Sequence, residues 1–357
     1  MPTRAAAVTP VTSHASVAST RILRLAFGTA LSLWISQAIG WDLSFLAPVV
    51  TMFLLAMPLS RPKPKLFIVV VLALTLSIYG SFIFLPLLLH QKFAGLLLLS
   101  LALFHSFYFT SRGGSDAVGT LATVGIALTV AVGTVNVDAL LGLASGLSVG
   151  AAAGAIVAML SHLLIPDKSQ DAPVKATGPA EDGEKISLAV ARQSAMRSLA
   201  IVLPILIWFV LSSASAANTA VMIKVAAMGQ EVSRSSTRDA ARSLIVSTLA
   251  GGVGATIAWQ VLSMWPSLTM YVLLIALAGL YFGRRIFEGR GLHADAATWS
   301  YAFLTMIVVL APAVLDSNSG SDAGAAFYSR LMMFGWATIY AVVAVYVFDA
   351  FWKRPEN

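Results

Sequence analysis

Asp, Glu, Lys and Arg leave long stretches of this chain untouched, and those stretches have the about 17 to 25 helical residues needed to cross a hydrocarbon layer of about 30 Å. In the first half the apolar runs are Leu25 to Trp41, Leu43 to Ser60, Leu66 to Leu89, Phe93 to Ser111, Ala117 to Val137 and Ala139 to Pro166. A polar stretch from Asp167 to Gln193 follows. The second half then repeats the behaviour more weakly, with runs from Ser198 to Leu211, Ala216 to Gln230, Ser243 to Ser263, Ser267 to Gly283, Ala296 to Leu315 and Leu331 to Phe348. The pattern predicts an all-α polytopic membrane protein of about twelve transmembrane helices. The seventh run is short and the eighth carries Lys224, so this pair is the weakest part of the pattern.

Composition supports the membrane reading. Of 357 residues, 58% are hydrophobic and 11% charged, and the mean hydropathy is +0.84, more oil than a soluble core requires. Cysteine is absent, which excludes disulfides, thiolate metal sites and a thiol nucleophile. The first twenty residues hold Arg4 and no acid. They read as a cytoplasmic N-terminal tail (residues 1–21), or alternatively as an organellar presequence. A cleaved secretory signal does not fit, because the first apolar run is followed at once by a second.

Basic loops resist translocation, so Lys and Arg set orientation. With the N-terminus in the cytoplasm and twelve alternating crossings, 20 of the 23 basic residues fall on the inner side. The exceptions are Lys92 and Arg330 outside and Lys224 within a span. That bias fixes both termini in the cytoplasm and favours an even number of crossings. It also accounts for the net charge of +7 without nucleic acid.

Sliding the chain against itself by about 173 to 180 residues aligns its punctuation. Arg24 meets Arg197, and "SRGGSDA" from Ser111 meets "GRGLHADA" from Gly289, bringing Arg112 onto Arg290 and Asp116 close to Asp295. Each half also turns outside at an Asp and Asn pair, Asn136 with Asp138 and Asp316 with Asn318. Shared spacing with little identity marks a duplication. The expected organisation is a first six-helix repeat (22–166), a flexible cytoplasmic linker (167–193) and a second six-helix repeat (194–357). With six crossings each, the copies point the same way, about an axis along the membrane normal.

In this register Lys224 falls opposite Thr51, and equivalent helices of duplicated carriers meet where substrate sites lie. A lysine at mid-depth faces a wet cavity or a partner. The functional reading is an anion site in which Lys224 attracts a carboxylate, with Asn218, Thr219 and Thr51 as hydrogen-bond partners. The alternative is snorkelling, in which the stem lifts the ammonium to the outer interface. No acidic residue lies mid-span, so a buried ion pair is not expected. His105, His162 and Asp349 are the candidate proton-relay residues, although a satisfied structural role is the stronger reading of each histidine. Gly142, Gly146, Gly150 and Gly154 recur every fourth residue and predict close helix packing, a stripe that Ala158 and His162 continue. "STLAGGVGA" from Ser247 predicts the same for the ninth span. Phe334, Trp336, Tyr340, Tyr346 and Trp352 suggest a lipid-facing aromatic surface or belt. Phosphate loops, paired metal-ligand histidines and serine nucleophile elbows are missing, so no enzyme activity, cofactor or metal is expected.

Two segments carry a family resemblance. "RLAFGTALSLWISQAIGWDLSFLAPVVTMFLLAMP" (Arg24 to Pro58) resembles the opening of the fusaric acid resistance protein-like (FUSC) superfamily. That group includes the inner-membrane subunit of aromatic acid exporters and is distantly related to plant malate channels. "RDAARSLIVSTLAGGVGA" from Arg238 resembles its Arg, Gly-Thr and spaced-Gly segment, with Ser247 in place of the first Gly and Thr248, Gly251 and Gly254 fitting the rest. Many members carry a sizeable cytoplasmic domain between the halves, where this chain has only the short linker. The resemblance implies efflux of aromatic or other organic acids across a bacterial inner membrane, often with a periplasmic adaptor (membrane fusion) protein. A secondary efflux carrier, a passive anion channel and a non-transporting membrane scaffold are the three resulting expectations, in a lipid environment and with a homo-oligomer open.

Overall fold

A computed structural model describes residues 12–41, 43–58, 64–133, 137–166, 188–212, 219–233, 237–289, 291–318 and 322–351. The first eleven residues, the linker up to residue 187, Asn136, Asn218, Arg290 and Trp352 lie outside them. The described chain is almost entirely helical: α1 (Thr12–Ala38), α2 (Leu46–Ala56), α3 (Pro64–Ser81), α4 (Leu85–His90), α5 (Lys92–Ser111), α6 (Asp116–Gly133) and α7 (Val137–Leu164), then α8 (Leu188–Ser212), α9 (Thr219–Ser233), α10 (Thr237–Met264), α11 (Leu268–Ile286), α12 (Ala296–Asn318) and α13 (Ala323–Phe351). One 3-10 turn, Phe82–Phe84, joins α3 to α4 into a single rod. A two-residue hairpin, β1 (Phe287–Glu288) with β2 (Gly291–Leu292), separates α11 from α12. Gly289 turns it at φ +55°, and Gly113 stops α5 at φ +94°, conformations that a Cβ disfavours.

Eight of the described helical segments are long and apolar enough to cross a membrane: α3–α4, α5, α7, α8, α10, α11, α12 and α13. The protein is a multi-pass membrane protein. The other four runs of the sequence pattern depart from it for separate reasons. Helix α1 is 27 residues long, but it begins at Thr12 instead of Leu25, so its first turns are polar and carry Arg21 and Arg24. Helix α2 has eleven residues, about 16 Å at 1.5 Å per residue. The apolar run Leu43–Ser60 overstated it, because Met57 precedes Pro58 and is forced to extended backbone at ψ 140°. The apolar part of α6 is Asp116–Val130, and α9 has fifteen residues. Helix α8 also starts early, at Leu188.

Helices α2, α6, α9 and α12 are buried almost all round, as expected of elements at the centre of a bundle. The others surround them with one face buried and one exposed. Packing follows a paired scheme: α1 lies against α2, α7 and α11, and α8 against α9, α13 and α5. Likewise α3 contacts α6 and α7, α10 contacts α12 and α13, α6 meets α9, and α12 meets α2.

Small residues set these approaches. A Cβ on Gly154 would stand 2.6 Å from the Ala47 carbonyl oxygen and 3.0 Å from Val50 Cβ; Gly150 and Gly146 face Leu46 and Leu43 in the same way. The glycine stripe of α7 is therefore the seat of α2, except at Gly142, which has nothing within 4 Å. Gly251 lies against Ala302 and Thr305, seating α10 on α12 as its motif predicts. On α13, Trp336, Tyr340 and Tyr346 are exposed, but Phe334 is fully buried and does not belong to the aromatic surface.

Two buried arginines fasten helix ends. Arg24 on α1 donates to the Ile165 carbonyl at 3.3 Å. Arg197 on α8 donates to Asp349 of α13 at 3.0 Å and to the Val232 carbonyl of α9 at 2.5 Å. Removing one partner of such a pair strands the other charge away from water.

Two predictions follow from this packing. Gly154→Val should destabilise the protein by about 1 to 3 kcal/mol through overpacking, whereas Gly142→Ala should be neutral or slightly stabilising, as read by thermal unfolding in detergent. Arg197→Met should cost about 3 to 5 kcal/mol in the same assay, and more than Asp349→Asn, because Asp349 keeps 15% exposure against 3% for the arginine.

Candidate anion-binding site

Lys224 stands in the second turn of α9, a helix enclosed by α6, α8, α10, α12 and α13. Its residue exposure is 1%, so the ammonium does not snorkel to an interface. Nζ donates to Thr305 Oγ1 on α12 at 2.9 Å and reaches Ser247 Oγ on α10 at 3.5 Å. Thr305 in turn donates to the Tyr301 carbonyl at 2.7 Å, which leaves its lone pairs facing the lysine.

Glu231 is the counter-charge. Seven residues beyond Lys224 it returns to the same face of α9, and it is 5% exposed. Ser247 donates to its Oε2 at 3.4 Å and Ser243 donates to its Oε1. Thr298 of α12 completes the chain with a 2.6 Å hydrogen bond to Ser243. One serine hydroxyl thus lies between an ammonium and a carboxylate, and four hydroxyls, two on α10 and two on α12, line the pair. The sequence pattern placed Glu231 at the end of a span and did not predict a buried acid. The lysine-to-glutamate spacing of seven and the Ser243 and Ser247 spacing of four were the available signals.

The network extends into the first half. Gln230 donates to Thr123 of α6 at 2.7 Å, and Thr123 shares a 2.8 Å hydrogen bond with Ser106. Thr120 of α6 meets the Tyr301 hydroxyl at 3.3 Å, and Phe53 of α2 packs edge-on against the Tyr301 ring at 6.4 Å. The polar centre is therefore shared between the two halves through α6 and α12.

The residues expected around Lys224 are only partly brought together. Thr51 is fully buried on α2, but its hydroxyl serves the Ala47 and Gly154 carbonyls, at 2.8 and 3.0 Å. Asn218 lies outside the described residues, as does the side chain of Thr219, which opens α9. The relay candidates are dispersed over three helices. His105 is exposed on α5 and bonds the Leu101 carbonyl at 2.8 Å. His162 is buried on α7 against the Phe67 ring and the Ala158 carbonyl, at 2.9 Å. Asp349 is engaged by Arg197.

Two cavities occur among the described residues, neither of them lined by Lys224. An apolar recess of about 410 Å³ sits between α8, α9 and α13, bounded by Trp208, Val221 and Trp336. A second, of about 510 Å³, lies where the ends of α1 and α10 to α13 converge.

Comparison with known proteins adds one finding. Residues 21–161 match the model of a family described as "Protein of unknown function (DUF2955)", a match that covers α1 through most of α7 and none of the Lys224, Glu231, Ser243, Ser247, Thr298 and Thr305 cluster. No curated protein and no solved structure matches the chain.

Proposed function

We propose that the protein is a secondary efflux transporter for organic anions, aromatic carboxylates among them, in a bacterial inner membrane. Lys224 receives the carboxylate. The chain is read as two parallel six-helix repeats with both termini cytoplasmic, and a periplasmic adaptor completes the export route.

The pairing of helix contacts supports the duplication. Exchanging α1 with α8, α2 with α9, α3–α4 with α10, α5 with α11, α6 with α12 and α7 with α13 turns most contacts of one half into contacts of the other, and turns α1 with α11 into α8 with α5 and α6 with α9 into α12 with α2; the contacts of α9 with α5, α10 and α12, and of α6 with α8, have no counterpart of similar extent. The same offset of 173 residues that pairs Arg24 with Arg197 pairs Tyr108 and Arg112 with Tyr281 and Arg285. In both pairs the guanidinium lies over the ring, at 5.7 and 5.9 Å.

The observation that carries the functional reading is the asymmetry of that duplication at its centre. At the same offset Thr51 stands for Lys224, Pro58 for Glu231, Val70 for Ser243 and Leu74 for Ser247. Val70 and Leu74 are buried, as Ser247 is, while Ser243 is partly buried. One copy closes its core with apolar side chains, so the frame does not need a charged cluster to pack. The other copy holds an ammonium on neutral hydroxyls with a carboxylate one serine away. This is an arrangement that a guest carboxylate can enter by displacing Ser247 and Glu231 from Lys224. Lys224 is 1% exposed, and on this reading the structure is taken as an occluded state of such a cycle.

In proteoliposomes loaded with labelled benzoate as the probe anion, Lys224→Met should reduce efflux at least about tenfold, the equivalent of about 1.4 kcal/mol, at unchanged protein incorporation. Full flux in that variant would overturn the assignment, and unitary currents from the wild type in a planar bilayer would replace the carrier by a channel. Glu231→Gln removes the internal competitor. It should tighten benzoate binding while slowing turnover, seen as a fall in KM together with kcat.

A further inference from the structure

Helices of both halves converge on the last turn of α9. In the orientation read from the basic residues this turn, Gly229 to Val232, is the cytoplasmic end of the helix, about two turns beyond Lys224. A helix rotates about 100° per residue, so four successive residues point in nearly every direction around its axis. Each of these four is held by its neighbours. A Cβ on Gly229 would stand 2.6 Å from Val202 of α8 and 2.7 Å from the Phe107 ring of α5. Gln230 donates to Thr123 of α6 at 2.7 Å. Glu231 accepts from Ser243 and Ser247 of α10. The Val232 carbonyl accepts from Arg197 of α8, which also holds Asp349 of α13. All four residues are buried, Gln230 to 1% exposure, so the turn plugs the inner side of the Lys224 cluster.

The tethers differ in kind. Toward α8, α10 and α13 they are hydrogen bonds to charged groups, Glu231 and Arg197, which are roughly twice as strong as neutral ones. Toward α5 and α6 they are ring packing on a glycine and a hydrogen bond between neutral groups. The weaker seam therefore faces the first half of the chain and the stronger one the second. Thr123 can release Gln230 at little cost, because its hydroxyl keeps Ser106 at 2.8 Å and the Gly119 carbonyl at 2.9 Å. The first half builds no such plug: α2 stops at Ala56, and Met57 and Pro58 stand in register with Gln230 and Glu231.

We propose that the last turn of α9 is the cytoplasmic gate of the molecule. It opens by parting Gln230 from Thr123 and Gly229 from Phe107 while staying with α8, α10 and α13, and so admits an anion from the cytoplasm to Lys224. Because Glu231 sits within this turn, its displacement from Lys224 by a guest carboxylate acts directly on the gate. The part the gate plays in transport rests on the transporter reading; the closure itself is measurable without any transported solute.

The chain holds no cysteine, so an introduced thiol reports alone. Ala227 is fully buried, midway between Lys224 and Gln230. In inside-out vesicles Ala227→Cys should react slowly with the membrane-impermeant anion sulfonatoethyl methanethiosulfonate. Adding Gln230→Ala or Thr123→Val should speed that reaction about two- to tenfold, the worth of one neutral hydrogen bond. The two substitutions combined should scarcely exceed either alone, because they remove the same bond. Rates unchanged by either substitution, or faster reaction in right-side-out vesicles, would overturn the proposal. Bridging Gln230→Cys to Thr123→Cys with methanediyl bismethanethiosulfonate should abolish benzoate efflux, and dithiothreitol should restore it; undiminished efflux from fully bridged protein would equally sink the gate. Wild-type protein that moves no benzoate while the thiol rates behave as expected would remove the transporter and keep the closure.

Discussion

Enclosing an ammonium among packed apolar helices carries a desolvation penalty of several kcal/mol. Lys224 is enclosed to 1% exposure, so its cost must be offset inside the protein. The composition of its neighbours follows from that constraint. Thr305 and Ser247 turn hydroxyls toward Nζ, Ser243 and Thr298 continue the chain, and Glu231 supplies a negative charge two turns along the same helix. Hydroxyls suit this task because each can accept from the ammonium and donate to the carboxylate. The cluster is thereby neutral as a whole and polar throughout, a condition under which a buried ionic network is tolerated.

Around that cluster the rest of the molecule works as a frame. Glycines at Gly146, Gly150 and Gly154 let α2 settle on α7, and Gly251 does the same for α10 on α12. Arg24 and Arg197, from within α1 and α8, tie α1 to the end of α7 and α8 to the ends of α9 and α13. These contacts are made by backbone carbonyls, small residues and the Asp349 carboxylate, which hold four short or all-round-buried helices in place without competing for the polar groups at the centre.

Sequence patterning carried much of this and failed at definable places. Long apolar runs located the eight robust spans, and the four-residue glycine recurrence located the α2–α7 seat, because both are local signals of composition and spacing. The length of α2 was overstated because hydropathy does not register that Pro58 ends a helix. Glu231 escaped because the chemistry of a carboxylate at a span end depends on which neighbouring helices face it, a long-range fact set by α10 and α12. Thr51 was matched to Lys224 by register, yet it satisfies Gly154 instead; register along a chain does not fix hydrogen-bond partners. The halves touch through Gln230 and Thr123, and through Tyr301 and Thr120, pairs that no spacing along the chain announces.

The brevity of α2 and α9 has an electrical consequence. They are about 16 and 22 Å long, against a hydrocarbon layer of about 30 Å. Where solvent reaches both ends of such a helix, a transmembrane voltage falls over the shorter distance and the local field steepens, up to about twofold along α2. Lys224 and Glu231 together carry no net charge, so their displacement in the empty protein does little electrical work. On the transporter reading, a guest carboxylate would make the moving unit negative, and an interior-negative voltage of 100 mV would then drive it outward with about 2.3 kcal/mol.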